Sequence, residues 1–382
     1  RGLKANKNFL PLLELDAAWH LFQGHTRDYA KAVAEIEKIN PSDADFYEML
    51  GDVAVTRRLL DEAIGYYRRS VELNPRQWSA LGSLGINLLD RAEAVRRIVR
   101  RPPDAHKYQA GTVLLVAGSR EYSGAALLAA EAALRSGCGM VYVAAPESIR
   151  PVIQGGIREA IVVPLPETPQ GAIGDGALPA LQGHIDKSDV VAVGPGLGRE
   201  EATASFIRDL VSTSPKPLVV DADGISAFAG EPERLAGLGP PVVLTPHSGE
   251  LRRLLGSDVP GDPLGRIEMT RDTATKLGLT LVHKGAPTLV ASADGDVWIN
   301  HEGNSALATA GTGDVLTGMV AGLQAQGASE LSAAAVACYL HGRAGELASR
   351  TVGLRGVIAG DLLRWLGQAV RELENLLPGP PE

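Results

Sequence analysis

Residues 303–318 read GNSALATAGTGDVLTG, and the chain is organised around this stretch. A run of small residues, 308–313, ends in Asp314, and an uncharged stretch that predicts a helix, residues 315–329, follows directly. Glycines just before a helix let several backbone N–H groups turn toward one point, at the positive end of the helix dipole. The stretch therefore predicts a site for phosphate oxygens. Asp314 has two interpretations, a catalytic carboxylate or the N-cap of the helix.

The composition is typical of a soluble, glycine-rich α/β enzyme, with 44 glycines among 382 residues and 21% charged residues. A net charge of −8 argues against a general nucleic-acid-binding protein, because such proteins carry a basic surface. The long uncharged stretch is too short and too rich in glycine to cross a bilayer. Cys138 and Cys338 lie in apolar surroundings and predict buried free thiols in a reducing compartment, without metal-ligand spacing. We expect a cytoplasmic protein that binds neither nucleic acid nor membrane.

The first hundred residues predict helices throughout, in the pattern of the tetratricopeptide repeat, a helix–turn–helix unit of about 34 residues. Gly51 would let two helices cross closely, Tyr67 would fill the groove between them, and Pro75 would end the second helix. An earlier unit, ending at residues 40–41, is shorter, and a later one lacks a recognisable second helix. The alternative is an amphipathic helical bundle packed on its neighbour.

A domain boundary is predicted at Pro102–Pro103, because two prolines break any helix. The arginine-rich run before them predicts a solvated helix end, with an acidic partner as the alternative. We therefore divide the chain into a helical segment, residues 1–97, an α/β domain, residues 98–375, and a disordered tail, residues 376–382. The chain begins at Arg1 instead of Met, which we expect of a fragment or of a processed form.

After residue 106, short apolar runs alternate with helical patterns, which indicates a parallel sheet covered by helices. Strands are predicted at residues 112–117, 140–144, 160–163, 190–193, 218–220, 242–244 and 280–283. Helices are predicted at residues 125–135, 332–349 and 360–373. Ligand loops in such sheets lie at the carboxyl ends of the strands. The glycine-rich and polar loops that follow five of these strands should therefore meet at one edge.

Each of these loops has a functional and a purely structural interpretation. Residues 194–198, GPGLG, form a tight turn or a backbone that a ligand approaches closely. His247 is a satisfied loop histidine or a hydrogen-bonding partner of the substrate. Lys284 begins the run 284–288, which offers a cation, the exposed backbone of a glycine and a threonine hydroxyl, as phosphate binding requires. Alternatively, Lys284 is a surface lysine at a strand end. Asp221 and Asp223 form a metal pair, or are buried or N-capping carboxylates.

Taken together, six ordered motifs resemble the NAD(P)H-hydrate dehydratases, the carbohydrate-kinase-like domains of nicotinamide nucleotide repair. The motifs are residues 106–125, 194–198, 221–223, 245–250, 284–288 and 308–318. The resemblance covers roughly residues 98–375 and implies a ribokinase-like fold, a three-layer α/β domain with a mainly parallel sheet. Here a short all-α, tetratricopeptide-like region precedes that domain, where family members often carry an epimerase domain. Ser226 and Ser248 depart from the family's pattern.

The resemblance implies that NAD(P)HX, hydrated at carbon 6 of the nicotinamide ring, is dehydrated to NAD(P)H. The phosphoryl donor would be ADP, as in bacterial members, with AMP and phosphate as products; ATP is the alternative donor. The S-epimer of the hydrated dinucleotide would contact Ala125, Gly198, His247 and Asp314. The adenine nucleotide would contact Lys284, Gly285, Ala286, Pro287, Thr288, Gly311, Thr312 and Gly313. Mg²⁺ would bridge the nucleotide phosphates, with no residue assigned as its ligand, and we expect a homo-oligomer.

In the implied mechanism, Asp314 takes the proton of the ring hydroxyl and the amides of residues 311–313 stabilise the moving phosphoryl group. Two alternatives are open. A small-molecule kinase of the same superfamily, of hydroxyethylthiazole or pyridoxal type, would share the glycine-rich loop and Asp314. Alternatively, the protein is a repeat-based interaction module with a degenerate enzyme domain, and the helical segment binds a protein partner.

Overall fold

The computed structural model describes residues 10–377, except Arg58, Leu84, Gly85 and Pro103. The chain divides into two compact units. One contains the residues up to Asn87 together with Pro260–Glu268, and the other contains Leu88–Val259 and the residues from Met269 onward. Of the predicted disordered tail, residues 376 and 377 form a turn after the last helix, and residues 378–382 lie outside the described residues.

The first unit contains helices that bury apolar side chains against each other. They are α1 Leu10–Gln23, α2 Thr26–Ile39, α3 Ala44–Thr56, α4 Leu60–Leu73 and α5 Trp78–Ser83. Leu13, Ala17, Ile36, Phe46 and Leu50 form much of its core. This helical start agrees with the predicted all-α region.

The crossing of α3 and α4 depends on a glycine. A side-chain carbon at Gly51 would lie 2.6 Å from Cδ1 of Tyr67, closer than carbon atoms approach. The Tyr67 hydroxyl donates a hydrogen bond of 2.7 Å to Asp52, which fixes the ring across the crossing. The contact that the repeat pattern requires is therefore present. Whether these helices are tetratricopeptide repeats stays a prediction.

The second unit is built on a sheet covered by helices. Its strands, with β1 at the unit boundary, are β1 Ile86–Leu89, β2 Thr112–Val116, β3 Met140–Pro146, β4 Ile161–Leu165, β5 Val190–Val193, β6 Leu218–Val220, β7 Val242–Leu244, β8 Thr280–His283, β9 Thr288–Ala291 and β10 Val297–Asn300. Its helices are α6 Arg91–Arg97, α7 Ser123–Arg135, α8 Arg150–Gly156, α9 Ala177–Lys187, α10 Glu201–Thr213, α11 Asp223–Ser226, α12 Ser248–Leu255, α13 Pro263–Leu277, α14 Thr312–Ala325, α15 Glu330–Val352 and α16 Ala359–Glu374; the residues of α13 up to Glu268 are assigned to the first unit.

The strand order is β1-β10-β9-β8-β7-β6-β5-β2-β3-β4. Strands β2 to β8 are parallel to one another, whereas β9 runs antiparallel to both β8 and β10. All five residues of β2 are buried, because helices cover both faces of the sheet. Alternate residues such as Val113 and Leu115 face the core with α7, α14, α15 and α16, and α9 contacts β2. The predicted α/β architecture with a mainly parallel sheet is confirmed.

The prediction that the first hundred residues are helical throughout is wrong at β1. Its four residues, Ile86–Leu89, form the edge strand next to β10. A four-residue apolar run carries no period that separates helix from strand, so only its neighbours in the fold decide. The hairpin of β9 and β10 was not predicted either, although its Asp294-Gly295 turn, with Gly295 at φ 91°, is a hairpin signal.

Helix α6 belongs with the second unit. Leu89 and Ala94, on β1 and α6, are buried in its core. The guanidinium of Arg97 lies 4.6 Å from the ring centroid of Trp298, and Arg91 donates to the Tyr339 hydroxyl at 3.2 Å. Arg97 therefore packs on the fold, whereas Arg91, Arg96, Arg100 and Arg101 are exposed, as a solvated helix end predicts. The assignment of residues 98–375 to one domain stays a prediction.

Helix α14 is the central helix of this unit, and its uncharged sequence reflects its burial. Residues 315–325 are all buried. A side-chain carbon at Gly322 would lie 2.6 Å from the carbonyl oxygen of Ala133, and Gly318 packs in the same way against Ala129. Small residues on α14 and α7 therefore bring the two backbones into direct contact. Within the described residues, no helix is long and apolar enough to cross a membrane.

Candidate functional site

Asp314 lies in the first turn of α14 and is not its N-cap. The N-cap is Gly311, whose φ of 89° is a left-handed conformation that favours glycine. Asp314 is the third residue of the helix. In the described part of the chain, no donor is recorded within hydrogen-bond distance of its carboxylate. The capping interpretation is therefore wrong, and the carboxylate is available for chemistry.

The surroundings of Asp314 keep its carboxylate close to its titration midpoint at neutral pH. Its pKa is raised to about 7, mainly by burial and next by the charge of Asp221, while Lys284 opposes the rise. The charges of Asp223 and Glu250 add to the increase. A carboxylate with a pKa near the working pH is suited to general acid–base catalysis. Perturbed groups of this kind cluster at functional sites.

Lys284, at the end of β8, is held by two carboxylates. Its Nζ lies 2.8 Å from Oδ1 of Asp221 and 3.8 Å from Oε2 of Glu250. Burial alone would lower the pKa of Lys284, but the charges of Asp221, Glu250 and Asp314 raise it above its ordinary value. Lys284 is therefore a protonated, ion-paired lysine with little exposure, and the surface-lysine interpretation does not hold.

Asp221 is locked in place from two sides. Its side chain is 1% exposed, and its second oxygen, Oδ2, accepts a hydrogen bond of 2.6 Å from the Thr317 hydroxyl of α14. Of its three interpretations, the buried carboxylate is the one that the structure supports. Because both oxygens are engaged, Asp221 orients Lys284 beneath Gly313, where a side-chain carbon would lie 3.3 Å from Nζ.

A cavity of about 680 Å³ opens beside this lysine. Seven of the residues predicted to hold the adenine nucleotide line it: Lys284, Gly285, Ala286, Pro287, Thr288, Thr312 and Gly313. Gly311 instead supplies the N-cap of α14. The volume falls within the range of small-molecule sites. The structure thus brings the lysine motif and the glycine-rich stretch to one cavity.

Sequence reasoning missed several residues of this cavity. Asn300 is the last residue of β10, His301 and Glu302 follow it, and Cys338 lies on α15. Nδ2 of Asn300 donates to the carbonyl oxygen of Cys338 at 3.1 Å, while its Oδ1 is buried without a hydrogen-bond partner in the described chain. The signal that could have found them is the hairpin turn before β10, because that turn predicts the strand. Polar residues at the end of a predicted strand are candidates for a site.

Two other cavity residues have defined states. His341 on α15 donates from Nε2 to the carbonyl oxygen of Thr312 at 2.9 Å. Burial lowers the pKa of His341 to about 4, so its ring is neutral at physiological pH and ties α15 to the first turn of α14. Burial raises the pKa of the Cys338 thiol to about 12, and both Cys138 and Cys338 are buried and free, as predicted.

His247 acts as the N-cap of α12. Its Nδ1 accepts hydrogen bonds from the backbone amides of Gly249 at 2.9 Å and Glu250 at 3.3 Å. A neutral ring that accepts at Nδ1 carries its proton on Nε2. The His247 side chain is 54% exposed, and its Nε2 lies 3.5 Å from Glu250. The ring therefore has a structural role through Nδ1 and retains a donor at Nε2.

Ser248, one of the departures from the family pattern, has a partner of its own. Its hydroxyl lies 2.9 Å from Nε2 of His283, whose Nδ1 lies 2.9 Å from the Thr270 hydroxyl. His283 is completely buried at the end of β8. This chain of hydrogen bonds anchors the start of α12, where His247 lies.

The loop after β5 lies against the start of α7. Gly196 has a φ of 65°, and a side-chain carbon there would lie 2.9 Å from Cβ of Ala125. Gly198, with φ 85°, donates its amide to Oδ2 of Asp223 at 2.9 Å. The glycines are therefore required by the turn itself, and Asp223 holds the loop. In the described residues, no group of three or more His, Cys, Asp or Glu side chains could hold a metal ion.

The chain matches the family described as NAD(P)H-hydrate dehydratase over residues 113–367. It is 42% identical over 301 residues to a bifunctional NAD(P)H-hydrate repair enzyme of Moorella thermoacetica, covering 79% of this chain and 57% of that protein. Over 271 residues it is 35% identical to an ADP-dependent (S)-NAD(P)H-hydrate dehydratase of Xanthomonas campestris, covering 71% of this chain and 92% of that protein. The chain spans about half the length of the bifunctional relatives.

Solved structures show the same fold. An ADP/ATP-dependent NAD(P)H-hydrate dehydratase of Bacillus subtilis, co-crystallised with ATP and Mg²⁺, is 32% identical with a TM-score of 0.63, covering 75% of this chain and 98% of that one. A hydroxyethylthiazole kinase of Pyrococcus horikoshii, 18% identical with a TM-score of 0.51 and covering 74% of this chain and 95% of that one, shares the fold alone. The ordered motifs, the sheet and these relatives agree: the chain belongs to the NAD(P)H-hydrate dehydratase family and has its ribokinase-like fold.

Proposed function

We propose that the protein dehydrates (6S)-NAD(P)HX to NAD(P)H, with ADP as phosphoryl donor and AMP and phosphate as products. One observation carries the proposal. A carboxylate with a pKa of about 7, Asp314, and an ion-paired lysine, Lys284, flank Gly313, and Lys284 and Gly313 line a cavity of nucleotide size. The name of the Xanthomonas relative, of which the chain covers 92%, states this activity for that protein.

The residues divide between the two ligands. Lys284, the run 285–288 and the amides of residues 311–313 would hold the nucleotide phosphates, because they offer a cation and N–H donors at a helix N-terminus. The hydrated ring would lie on the other side of Asp314, against Ala125 and Gly198. His247 would donate from Nε2, since Nδ1 is occupied by backbone amides.

The chemistry follows from this placement. The Asp314 carboxylate takes the proton of the C6 hydroxyl, and that oxygen bonds to the β-phosphorus of ADP as the bond from phosphorus to the bridging oxygen breaks, releasing AMP. The C6–O bond then breaks with its electron pair on the departing phosphate, assisted by the lone pair of the ring nitrogen. Loss of a proton from C5 restores the double bond. Lys284 and the amides of residues 311–313 would stabilise the charge that develops during phosphoryl transfer.

Mg²⁺ would enter with the nucleotide, bound by phosphate oxygens and water, as is usual at such sites. It would offset phosphate charge and orient the donor. Asp221 does not suit a ligand role, because Lys284 and Thr317 engage both of its oxygens.

The test is recovery of the absorbance of the reduced nicotinamide from NAD(P)HX, with ADP, with ATP and without nucleotide. We expect recovery that depends on nucleotide and Mg²⁺ and releases phosphate stoichiometrically. Accumulation of a stable phosphorylated product would support the kinase alternative. A folded sample that recovers no absorbance with either nucleotide would exclude dehydration.

We also propose that α1 to α5, the helices of the first unit within the predicted segment of residues 1–97, form a tetratricopeptide-like module that binds a protein partner. Its support is the glycine-dependent crossing of α3 and α4. Pull-down with the segment, against a Gly51→Leu variant that cannot form the crossing, tests it. A cytoplasmic homo-oligomer is proposed from the family resemblance, and light scattering measures the assembly state.

A further inference from the structure

A second cavity, of about 420 Å³, lies between α10 and the segment that runs from α11 to the 3₁₀ turn Pro232–Leu235. We call it the arginine groove, because Arg199, Arg208 and Arg234 line it. It is distinct from the cavity beside Lys284, and no residue of the nucleotide-binding motifs lines it.

The arginine groove begins at the substrate end of the proposed site. Gly198 and Asp223 both line it, and the Gly198 amide donates to Oδ2 of Asp223. Gly198 is also one of the residues proposed to contact the hydrated ring, so a ligand that is bound there can extend into the groove.

The three arginines are paired, but two of their partners are weakly held. Arg234 lies 2.9 Å from Glu231, and Arg208 pairs with Glu201; these glutamate side chains are 57% and 82% exposed. Exposed ion pairs contribute little to stability, so either glutamate can turn into water when a stronger anion arrives. A phosphate is such an anion, because its oxygens match the fork of a guanidinium.

The donors of the groove are its guanidinium groups. Ser226 also lines the cavity, but its Oγ is buried from solvent and is not counted among the donors. Three guanidinium groups form a donor set suited to phosphate oxygens.

We propose that the arginine groove binds the phosphate-bearing adenosine half of the hydrated dinucleotide, an inference that rests on the proposed function. The co-substrate nucleotide occupies the cavity beside Lys284, so the remainder of the dinucleotide leaves the reacting ring past Gly198. Two phosphate groups could meet the arginines. The pyrophosphate is common to NADHX and NADPHX, whereas the 2′-phosphate is present only in NADPHX.

The experiment compares Arg234→Ala and Arg199→Ala with the wild type, using NADHX and NADPHX. Both side chains are substantially exposed, 44% and 65%, so their removal leaves the core intact. We expect the KM of the dinucleotide to rise roughly tenfold, as loss of a charged hydrogen bond predicts, while kcat and the KM of ADP change less than about twofold. An increase for both dinucleotides identifies the pyrophosphate, and an increase for NADPHX alone identifies the 2′-phosphate.

Arg135→Ala is the matched control, because Arg135 is also 45% exposed and paired with a glutamate, Glu131, but lies on α7 away from the groove. Unchanged dinucleotide KM values in both groove variants would overturn the proposal while the dehydratase activity stands. Should the wild type show no dehydration, calorimetry with NADP⁺ tests the groove separately: weaker binding in Arg234→Ala than in Arg135→Ala supports it, and equal binding refutes it.

Discussion

The two cavities of the α/β unit place their charges differently. Beside the nucleotide cavity, Lys284 is held against Asp221, a carboxylate that is 1% exposed and fixed by Thr317. In the arginine groove, two of the three guanidinium groups pair with glutamates that are mostly exposed, and the third, of Arg199, pairs with Asp223. A charge fixed away from water acts strongly on a reacting group, since water screens it little. An exposed charge exchanges partners at little cost and so suits ligand recognition. The buried charges around Lys284 should therefore set the rate of the reaction, and the exposed charges of the arginine groove should set the affinity for the dinucleotide.

The largest effect is expected among the buried charges around Lys284. Asp314→Asn should lower kcat/KM about 10²–10⁴-fold, because the general base is removed while shape and size are kept. Thermal unfolding of the same variant serves as the control for folding. Turnover close to that of the wild type would remove Asp314 from the mechanism.

The buried carboxylate that orients Lys284 comes next. Asp221→Asn should reduce kcat about 10–100-fold, because a protonated lysine that loses its partner in a buried site is displaced or neutralised. Thr317→Val removes a single hydrogen bond to the same carboxylate and should lower the free energy of unfolding by about 1–3 kcal/mol, with a smaller loss of rate. Thr317→Ser retains the hydroxyl and should restore both. Equal kinetics in Thr317→Val and Thr317→Ser would separate Asp221 from catalysis.

The pH dependence distinguishes a poised base from an ordinary carboxylate. Asp314 acts in its charged form, so kcat/KM should rise about tenfold per pH unit below pH 7 and level off above it. In Asp221→Asn, the rise should occur at lower pH, because the charge of Asp221 raises the pKa of Asp314. A profile that is flat from pH 5 to 8 would contradict the assignment.

The same carboxylate makes stability depend on pH. Its pKa is about 4 in an unfolded chain and about 7 in the folded protein. The unfolded state therefore loses its proton first, so the contribution of Asp314 to stability is present below pH 4 and is lost as the pH rises toward 7. Asp314→Asn should be more stable than the wild type at pH 8, by urea unfolding, with the difference vanishing near pH 4.

The smallest effect is expected from the helices of the first unit. Removal of residues 1–83 should change kcat/KM less than about twofold, because the residues assigned to the site lie in the second unit. Removal of residues 1–97 also deletes Leu89 and Ala94, which are buried in the core of that unit. This longer deletion should lower the midpoint of thermal unfolding by roughly 5–10 °C. Identical midpoints for the two truncated chains would mean that β1 and α6 are dispensable.

Much of the α/β unit could be predicted from local sequence. Strands β5 to β8 were predicted with their observed bounds, because apolar, β-branched runs lie between polar loops. Edge strand β1 and the hairpin of β9 and β10 were missed, since four-residue runs carry little periodicity. Asp314 and Lys284 were predicted because glycine-rich or polar residues follow a strand or precede a helix there.

The partners of those residues could not be predicted in the same way. Thr317 and Asp221 are 96 residues apart, and only the packing of α14 on the sheet brings them together. Asn300 and His341 likewise reach the cavity through the placement of β10 and α15. The arginine groove combines residues of α10 with residues beyond α11, and no spacing in the sequence announces it.

The glycine contact of α14 with α7 has a consequence for how this site can change. Ala125 lies in the first turn of α7 and Asp314 in the first turn of α14, so the contact sets the distance between the two halves of the site. One added methyl group at Gly318 or Gly322 acts as a spacer that moves a whole helix, and the catalytic group moves with it. Variants designed to change substrate preference should therefore keep the contact between α7 and α14 and alter the loops around the site.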